Sequence, residues 1–247
     1  MELSPPPRNG LIQAMQSADV DLLRPELERV KYGGGHVLVE PFTPFEHVYF
    51  LEGGLASMVV FDGTRGATEI GMRGYEGLVG TPAMLGADHM PHPVVMQIGG
   101  PMLRMRVTVL KEAMDSSASL RSVLLRYAYY VLLEAAHASY VNARFRLDER
   151  LARWLLMAAD RLGPQLPLTH EFLASMLGVR RSGVTEALHV LEGEKLITAA
   201  RSRIVIRNRA GLETLAGKAY GIPEGEYSRL IGPLRRTPSH WRPARRH

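Results

Sequence analysis

Polar and charged side chains recur between positions 181 and 189 at the spacing of one helix face. They are Arg181, Ser182, Thr185, Glu186 and His189. Side chains of these types can donate to or accept from base edges and phosphates. Val184, Leu188 and Leu191 repeat on the opposite face, which we expect to pack against the same domain. The pattern predicts a helix with one buried side and one side available to nucleic acid.

The preceding segment predicts the turn that positions this helix. Thr169 can cap a first helix, because its hydroxyl can accept from the free backbone N–H groups at the helix start. Apolar residues then follow on one face, namely Phe172, Leu173, Met176 and Leu177. Gly178 stands where the first helix must end, a position that favours left-handed backbone. Helix, turn and helix in this order place the second helix in the major groove of DNA.

A short basic hairpin follows the second helix. Residues 197–199 and 204–206 are predicted as strands, and Arg201 and Arg203 lie at or beside their turn, where they can bind phosphate. The alternative is a helical hairpin that only packs against another surface. The glycine turn, the polar face and the basic hairpin together favour DNA binding over that alternative.

Composition limits the class of protein. The 247 residues suffice for two domains, and no apolar run approaches the ~18–20 residues of a membrane span. Cysteine is absent, which excludes structural disulfides, iron–sulfur ligation by thiolates and cysteine redox sensing. The segment MELSPPPRNG has neither a basic start nor an apolar core, so we expect no signal peptide and a cytoplasmic location.

The positive charge is unevenly distributed. Residues 1–143 contain 11 basic and 15 acidic side chains, a net charge of −4. Residues 144–209 contain 12 and 7, and residues 210–247 contain 7 and 3, so these parts carry +5 and +4. A polyanion is therefore expected to bind the second half of the chain.

The first half of the chain has a different sequence pattern. Short helices are expected within residues 11–30, and Gly-rich turns then separate short apolar runs from Gly33 to about Met105. Asp62-Gly63 is a hairpin turn signal. These features predict an antiparallel β-roll or barrel.

A long helix without Pro or Gly is predicted from Ser116 to about Tyr140. Its apolar stripe consists of Leu120, Val123, Leu124, Tyr127, Val131, Leu132, Ala135 and Ala138. One alternative is a single helix packed on its own roll, but its length favours a helix that joins two copies. Another helix is predicted over residues 150–162, and the segment PLRRTPSHWRPARRH is expected to be a mobile basic tail.

This order of parts resembles the Crp/Fnr family of bacterial transcription regulators. The matching phrases are HVYFLEGGLASM, GYEGLVG and LTHEFLASMLGVRRSGVTEALHVLEGEKLI. The resemblance implies an α+β fold with an N-terminal antiparallel, cupin-like β-roll, a long central dimerisation helix and a C-terminal winged helix-turn-helix. The implied parts are a cyclic-nucleotide-binding-like sensor domain (1–115), the dimerisation helix (116–143), the DNA-binding domain (144–220) and a basic tail (221–247). It also implies a homodimer on a near-palindromic promoter site, with RNA polymerase as a further partner.

The resemblance assigns the DNA contacts residue by residue. Arg181 matches a guanine-reading arginine, and Arg180 beside it is expected to bind phosphate. Thr169 matches a phosphate contact as well as a cap. Ser182 and Glu186 depart from the family's usual glutamate and arginine, which leaves the half-site sequence open. The full predicted set is Thr169, His170, Arg180, Arg181, Ser182, Thr185, Glu186, His189, Arg201 and Arg203.

The cyclic-nucleotide cassette of the family is degenerate here. Gly80 fits its glycine, Thr81 replaces the ribose-binding glutamate, and His92 falls near the phosphate-binding arginine. No Arg or Lys occurs from residue 76 to residue 103, so we expect no cyclic AMP binding. Glu76 is interpreted as a surface or hinge carboxylate. The effector, if there is one, stays unknown.

No metal or cofactor is predicted. The spacing of His89 and His92 beside Asp88 is only a weak metal signal, and Pro91 argues against a regular helix there. Haem stays open, since one histidine suffices, but nothing points to it. No catalytic motif stands out, so we expect no enzyme. The alternative to a DNA-binding regulator is a ligand- or protein-binding signalling module that does not read DNA.

Overall fold

The computed structural model describes residues 5–63 and 66–234. Two helices, α1 (Gly10–Gln13) and α2 (Ser17–Leu23), precede a roll of two four-stranded antiparallel sheets. The first sheet contains, in spatial order, β1 (Glu28–Tyr32), β8 (Gly100–Arg106), β3 (His47–Leu51) and β6 (Leu78–Val79). The second contains β2 (Val37–Val39), β7 (Val94–Ile98), β4 (Leu55–Asp62) and β5 (Gly66–Arg73). The predicted antiparallel β-roll is confirmed.

Alternating residues of both sheets form the core of the roll. Inward side chains such as Leu51, Met96 and Met102 are fully buried, as the period-two pattern requires. The β4–β5 hairpin pairs Asp62 with Gly66, which agrees with the predicted turn. Gly54 has φ +78°, and a Cβ there would lie 2.4 Å from the Ile98 carbonyl oxygen. Only glycine fits that crossing of two chain segments.

A short helix, α3 (Thr81–Met84), lies inside the roll sequence, and α4 (Val107–Ser116) leads into the long helix α5 (Ala118–Arg144). Ser117 caps α5, because its hydroxyl accepts from the Leu120 N–H at 3.2 Å. The predicted apolar stripe needs correction: Leu120, Val123, Leu124 and Tyr127 are buried in the chain's own core with α4 and the roll. The apolar side chains left exposed on α5 are Leu125, Tyr129, Leu132 and Tyr140.

The second half forms a compact helical domain with a small sheet. Its elements are α6 (Leu147–Leu162), β9 (Gln165–Leu166), α7 (His170–Leu177), α8 (Arg181–Gly193), β10 (Ile197–Ala200), β11 (Arg203–Ile206) and α9 (Arg209–Ala216). The two predicted wing strands are each one residue longer than expected, and β9 adds a third strand beside β11. Helix α6 supplies much of the core, with Trp154, Leu155 and Ala158 buried as expected.

The start of the predicted tail is folded. Residues Ile222–Leu230 form α10, which packs on α5 and buries Tyr227 against Tyr130 with ring centroids 5.1 Å apart. The sequence of α10 has no extended apolar pattern at helical spacing. Aromatic contacts with α5 stabilise its position instead. Residues 235–247, the C-terminal part of the predicted basic tail, lie outside the described residues. Within the described parts of the chain, no helix is long and apolar enough to cross a membrane.

Candidate nucleic-acid interface

Helices α7 and α8 meet at the predicted turn. The Thr169 hydroxyl accepts from the Phe172 N–H at 3.1 Å, and Gly178 ends α7 with φ +64°. Both local predictions are confirmed. Arg150 on α6 also donates to the Leu177 carbonyl oxygen at 2.7 Å. This contact satisfies one of the carbonyls that every helix end leaves open, and only the folded domain reveals it.

The two sides of α8 differ as the sequence predicts. Val184, Ala187, Leu188 and Leu191 are buried in the domain. The outer residues Arg180, Arg181, Ser182, Glu186 and His189 are exposed, and Thr185 is half-buried. Arg181 Nε lies 3.9 Å from Glu171 Oε2, with both side chains well exposed. Such a pair is weak in water, so Arg181 is available to another acceptor.

His170 and Thr185 link the two helices. His170 Nδ1 lies 3.0 Å from Thr185 Oγ1. His170 is the first residue of α7, directly after the capping Thr169. The structure therefore places the start of α7, with Thr169 and His170, beside Thr185 of α8.

The wing turn places its arginines at the surface. Ala200 pairs with Arg203 across the turn, and Ser202 takes the left-handed backbone that the tight turn requires, with φ +58°. Arg201 and Arg203 are exposed. Arg207 is also exposed, and its Nε donates to Thr198 Oγ1 at 3.0 Å. Arg207 was not among the sequence-predicted contacts, although its even spacing from Arg203 places both on one face of the strand.

A separate cavity of about 380 Å³ lies between the roll and α5. Gly80 and Thr81 border it, and His92 is not among its lining residues. Most of the remaining lining residues are apolar, and they include Leu78, Val79, Leu85, Met90, Val131 and Leu132. Arg73 is the charged residue of the described lining, and its guanidinium is paired with Glu134.

Buried charges join the roll, α5 and α6. Arg161 on α6 lies 2.7 Å from Glu76 and 3.5 Å from Glu134, and Arg73 on β5 donates to Glu134. Glu76 is fully buried, so its interpretation as a surface carboxylate was wrong. Its carboxylate pairs with Arg161, which is 85 positions away in the sequence, so no local pattern indicated that Glu76 would be buried. Arg73, Glu76, Glu134 and Arg161 together form the junction cluster.

Further contacts connect the roll to the second domain. Trp154 Nε1 donates to Glu69 on β5 at 2.9 Å, and the Ser175 hydroxyl donates to the Ala67 carbonyl at 2.8 Å. Helix α7 therefore packs against β5, the edge strand of the second sheet of the roll. No cluster of three or more His, Asp or Glu that could hold a metal occurs among residues 5–63 and 66–234.

These features define a β-roll protein with a winged helix-turn-helix domain, and comparisons with known proteins agree. Residues 149–215 match the model of the Crp-like helix-turn-helix domain. No curated protein sequence matches the chain.

Solved structures match the chain more widely. FixK2 from Bradyrhizobium japonicum is 18% identical over 76% of this chain and 96% of its own, with a TM-score of 0.67. The CRP-family transcriptional regulator TTHB099 from Thermus thermophilus is 21% identical over 77% and 96%, with a TM-score of 0.64. The c-di-GMP-responsive global regulator CLP from Xanthomonas campestris is 17% identical over 77% and 99%, with a TM-score of 0.60. Residues 149–215 are thus a Crp-like helix-turn-helix domain, and the chain has the fold of the Crp/Fnr regulators.

Proposed function

We propose that this protein is a sequence-specific DNA-binding transcription regulator of the Crp/Fnr type. The observation that carries the proposal is the division of α8 into a buried apolar side and an exposed side with Arg180, Arg181 and Ser182. Helices of this kind insert their N-terminal residues into the major groove. The Crp-like domain match over residues 149–215 supports the same function.

Each exposed group has a proposed role. Arg181 reads a guanine, because a guanidinium can donate to O6 and N7 together. Arg180, Thr169, His170, Arg201 and Arg203 bind phosphates, and Thr169 does so at a capped helix start, where the helix dipole favours anions. Ser182, Glu186 and His189 complete the surface that meets base edges, and Thr185 lies beside them with its hydroxyl in contact with His170. Arg207 joins the phosphate contacts of the wing.

We further propose that the protein acts as a homodimer through the 116–143 helix. The exposed Leu125, Tyr129, Leu132 and Tyr140 supply an apolar face on α5, and contiguous exposed apolar surface of this kind marks interfaces. Two recognition helices then read half-sites one DNA turn apart, which requires a near-palindromic promoter element. Such a regulator works in the bacterial cytoplasm and has RNA polymerase as a further partner.

Arg181→Ala is expected to cost about 1–3 kcal/mol of binding free energy at one base pair of each half-site and to relax sequence preference there. The measurement is competition of duplexes that differ at single positions, after selection of a preferred sequence from random DNA. Arg201→Ala is the matched control, since loss of a phosphate contact weakens all sequences equally. An unchanged sequence preference in Arg181→Ala would remove this residue from the reading role.

The proposed regulator does not respond to cyclic AMP. The cavity beside Gly80 and Thr81 offers Arg73 as its cation, and Glu134 already neutralises it. We expect cyclic AMP to leave DNA affinity and thermal stability unchanged, because a ligand stabilises a fold only where it binds. A shift of melting temperature that saturates with cyclic AMP would contradict this expectation.

The second candidate is a ligand-binding signalling module that does not read DNA, and the apolar cavity is the observation that favours it. Steep salt dependence of DNA affinity distinguishes the two, because counterion release requires phosphate contacts. We propose no enzymatic activity.

A further inference from the structure

The hydrogen bonds of Thr185 constrain the protonation of His170. The Thr185 hydroxyl oxygen lies 3.0 Å from His170 Nδ1 and 3.1 Å from the Arg181 carbonyl oxygen. A threonine hydroxyl carries one proton, so it can donate to only one of these neighbours. Both contacts are satisfied when the hydroxyl donates to the Arg181 carbonyl and accepts from Nδ1–H of His170.

The other ring nitrogen of His170 is then an acceptor in the neutral ring. A neutral imidazole with its proton on Nδ1 has only a lone pair on Nε2. This Nε2 is not buried and has no hydrogen-bond partner among the described residues. A phosphate oxygen is also an acceptor, so neutral His170 cannot donate to it. Protonation of Nε2 creates both a donor and a positive charge.

We propose that His170 is a pH-dependent positioning contact to the DNA backbone, and that Thr185 sets this dependence by holding the ring proton on Nδ1. DNA binding then takes up one proton at Nε2 in each subunit, and the affinity rises as the pH falls. The inference rests on the proposed function, because it needs a phosphate beside the capped start of α7.

The surrounding charges do not remove the effect. Arg181 and Glu186 on α8 and Glu171 on α7 are exposed and screened by water, and Arg181 and Glu171 lie 3.9 Å apart and offset each other. The further titratable group on the outer face of α8 is the exposed His189. Substitution of His189 is therefore the required control.

The test measures the Kd of the full chain for a selected duplex between about pH 8 and pH 5.5 at constant salt. We expect the wild-type affinity to rise about a hundredfold over this range, which is about tenfold for one charge-assisted hydrogen bond in each of the two subunits. His170→Gln should bind with little pH dependence, since its amide donates at every pH. Thr185→Val keeps the branched shape but frees Nδ1, so the neutral ring can carry its proton on Nε2. This variant should gain affinity near pH 8 and lose most of the pH dependence. His189→Gln should lose affinity equally at every pH and keep the wild-type pH dependence.

The possible results separate this inference from the proposed function. If the pH dependence survives unchanged in His170→Gln, or if the wild type has none, the inference is wrong and the regulator stands. If no duplex binds at any pH, the proposed function itself fails. Thermal melting of each variant at both pH values shows whether the compared proteins are folded.

Discussion

Replacing Glu134 with alanine is expected to lower the free energy of unfolding by about 3–5 kcal/mol. Glu134 accepts from Arg73, lies 3.5 Å from Arg161, and is buried with both. Its removal leaves two guanidiniums in the interior with Glu76 alone to balance them. Uncompensated buried charge is costly, because the interior does not replace the lost hydration. Urea unfolding followed by circular dichroism measures the change.

The pH dependence of this effect has a definite sign. Burial alone raises the pKa of Glu134, but Arg73 and Arg161 outweigh burial and hold the pKa below its ordinary value of 4.5. A lowered pKa means that the carboxylate stabilises the fold above about pH 4.5 and that this contribution disappears as the pH falls through the lowered pKa. The difference in stability between wild type and Glu134→Ala should therefore shrink in acid.

Glu226→Ala provides the control for the junction cluster. Glu226 forms an exposed pair with Arg229 at 2.6 Å, and exposed pairs contribute little to stability. We expect this variant to unfold almost as the wild type does. If Glu134→Ala were as stable as Glu226→Ala, the junction cluster would not hold the roll to the second domain.

Leu132→Glu is expected to dissociate the proposed dimer and to weaken DNA binding about 10²–10⁴-fold. Leu132 is 68% exposed on α5, and a charge there would be buried against the partner helix at high cost. A monomer then binds one half-site without the advantage of a second linked contact. Analytical ultracentrifugation and duplex titration measure the two effects on the same preparation.

Phe61→Glu is the matched control for Leu132→Glu, because it introduces the same charge on a different surface. Phe61 is 64% exposed near the end of β4, so the same charge is introduced outside α5. The variant should remain dimeric and bind DNA normally. A Leu132→Glu protein that stays dimeric would show that another surface joins the subunits.

Local signals in the sequence predicted the helix-turn-helix domain well. The cap at Thr169 and the left-handed turn at Gly178 depend on neighbouring residues only, so their types reveal them. The buried and exposed sides of α8 are likewise predicted by the helical spacing of its apolar residues. The contact of Arg150 with the end of α7 could not be predicted, because it depends on how α6 packs.

The errors concern contacts between distant segments. Periodicity identifies the apolar residues of α5 but does not say whether they meet the same chain or a partner, so the stripe of Leu120 and Tyr127 was assigned to the wrong surface. The junction cluster joins residues 73, 76, 134 and 161, whose charges look like ordinary surface charges in sequence. Helix α10 depends on the packing of Tyr227 against Tyr130, which no local pattern encodes.

The affinity of the full chain for its selected duplex as a function of salt concentration is the most direct test of DNA binding by α8 and the wing. We predict that the logarithm of the association constant falls linearly with the logarithm of salt concentration, and that Arg201→Ala reduces the slope by about two, or about one for each subunit of the proposed dimer. Binding that does not change with salt, or no binding to any duplex at low ionic strength, would contradict the assignment of this surface to DNA.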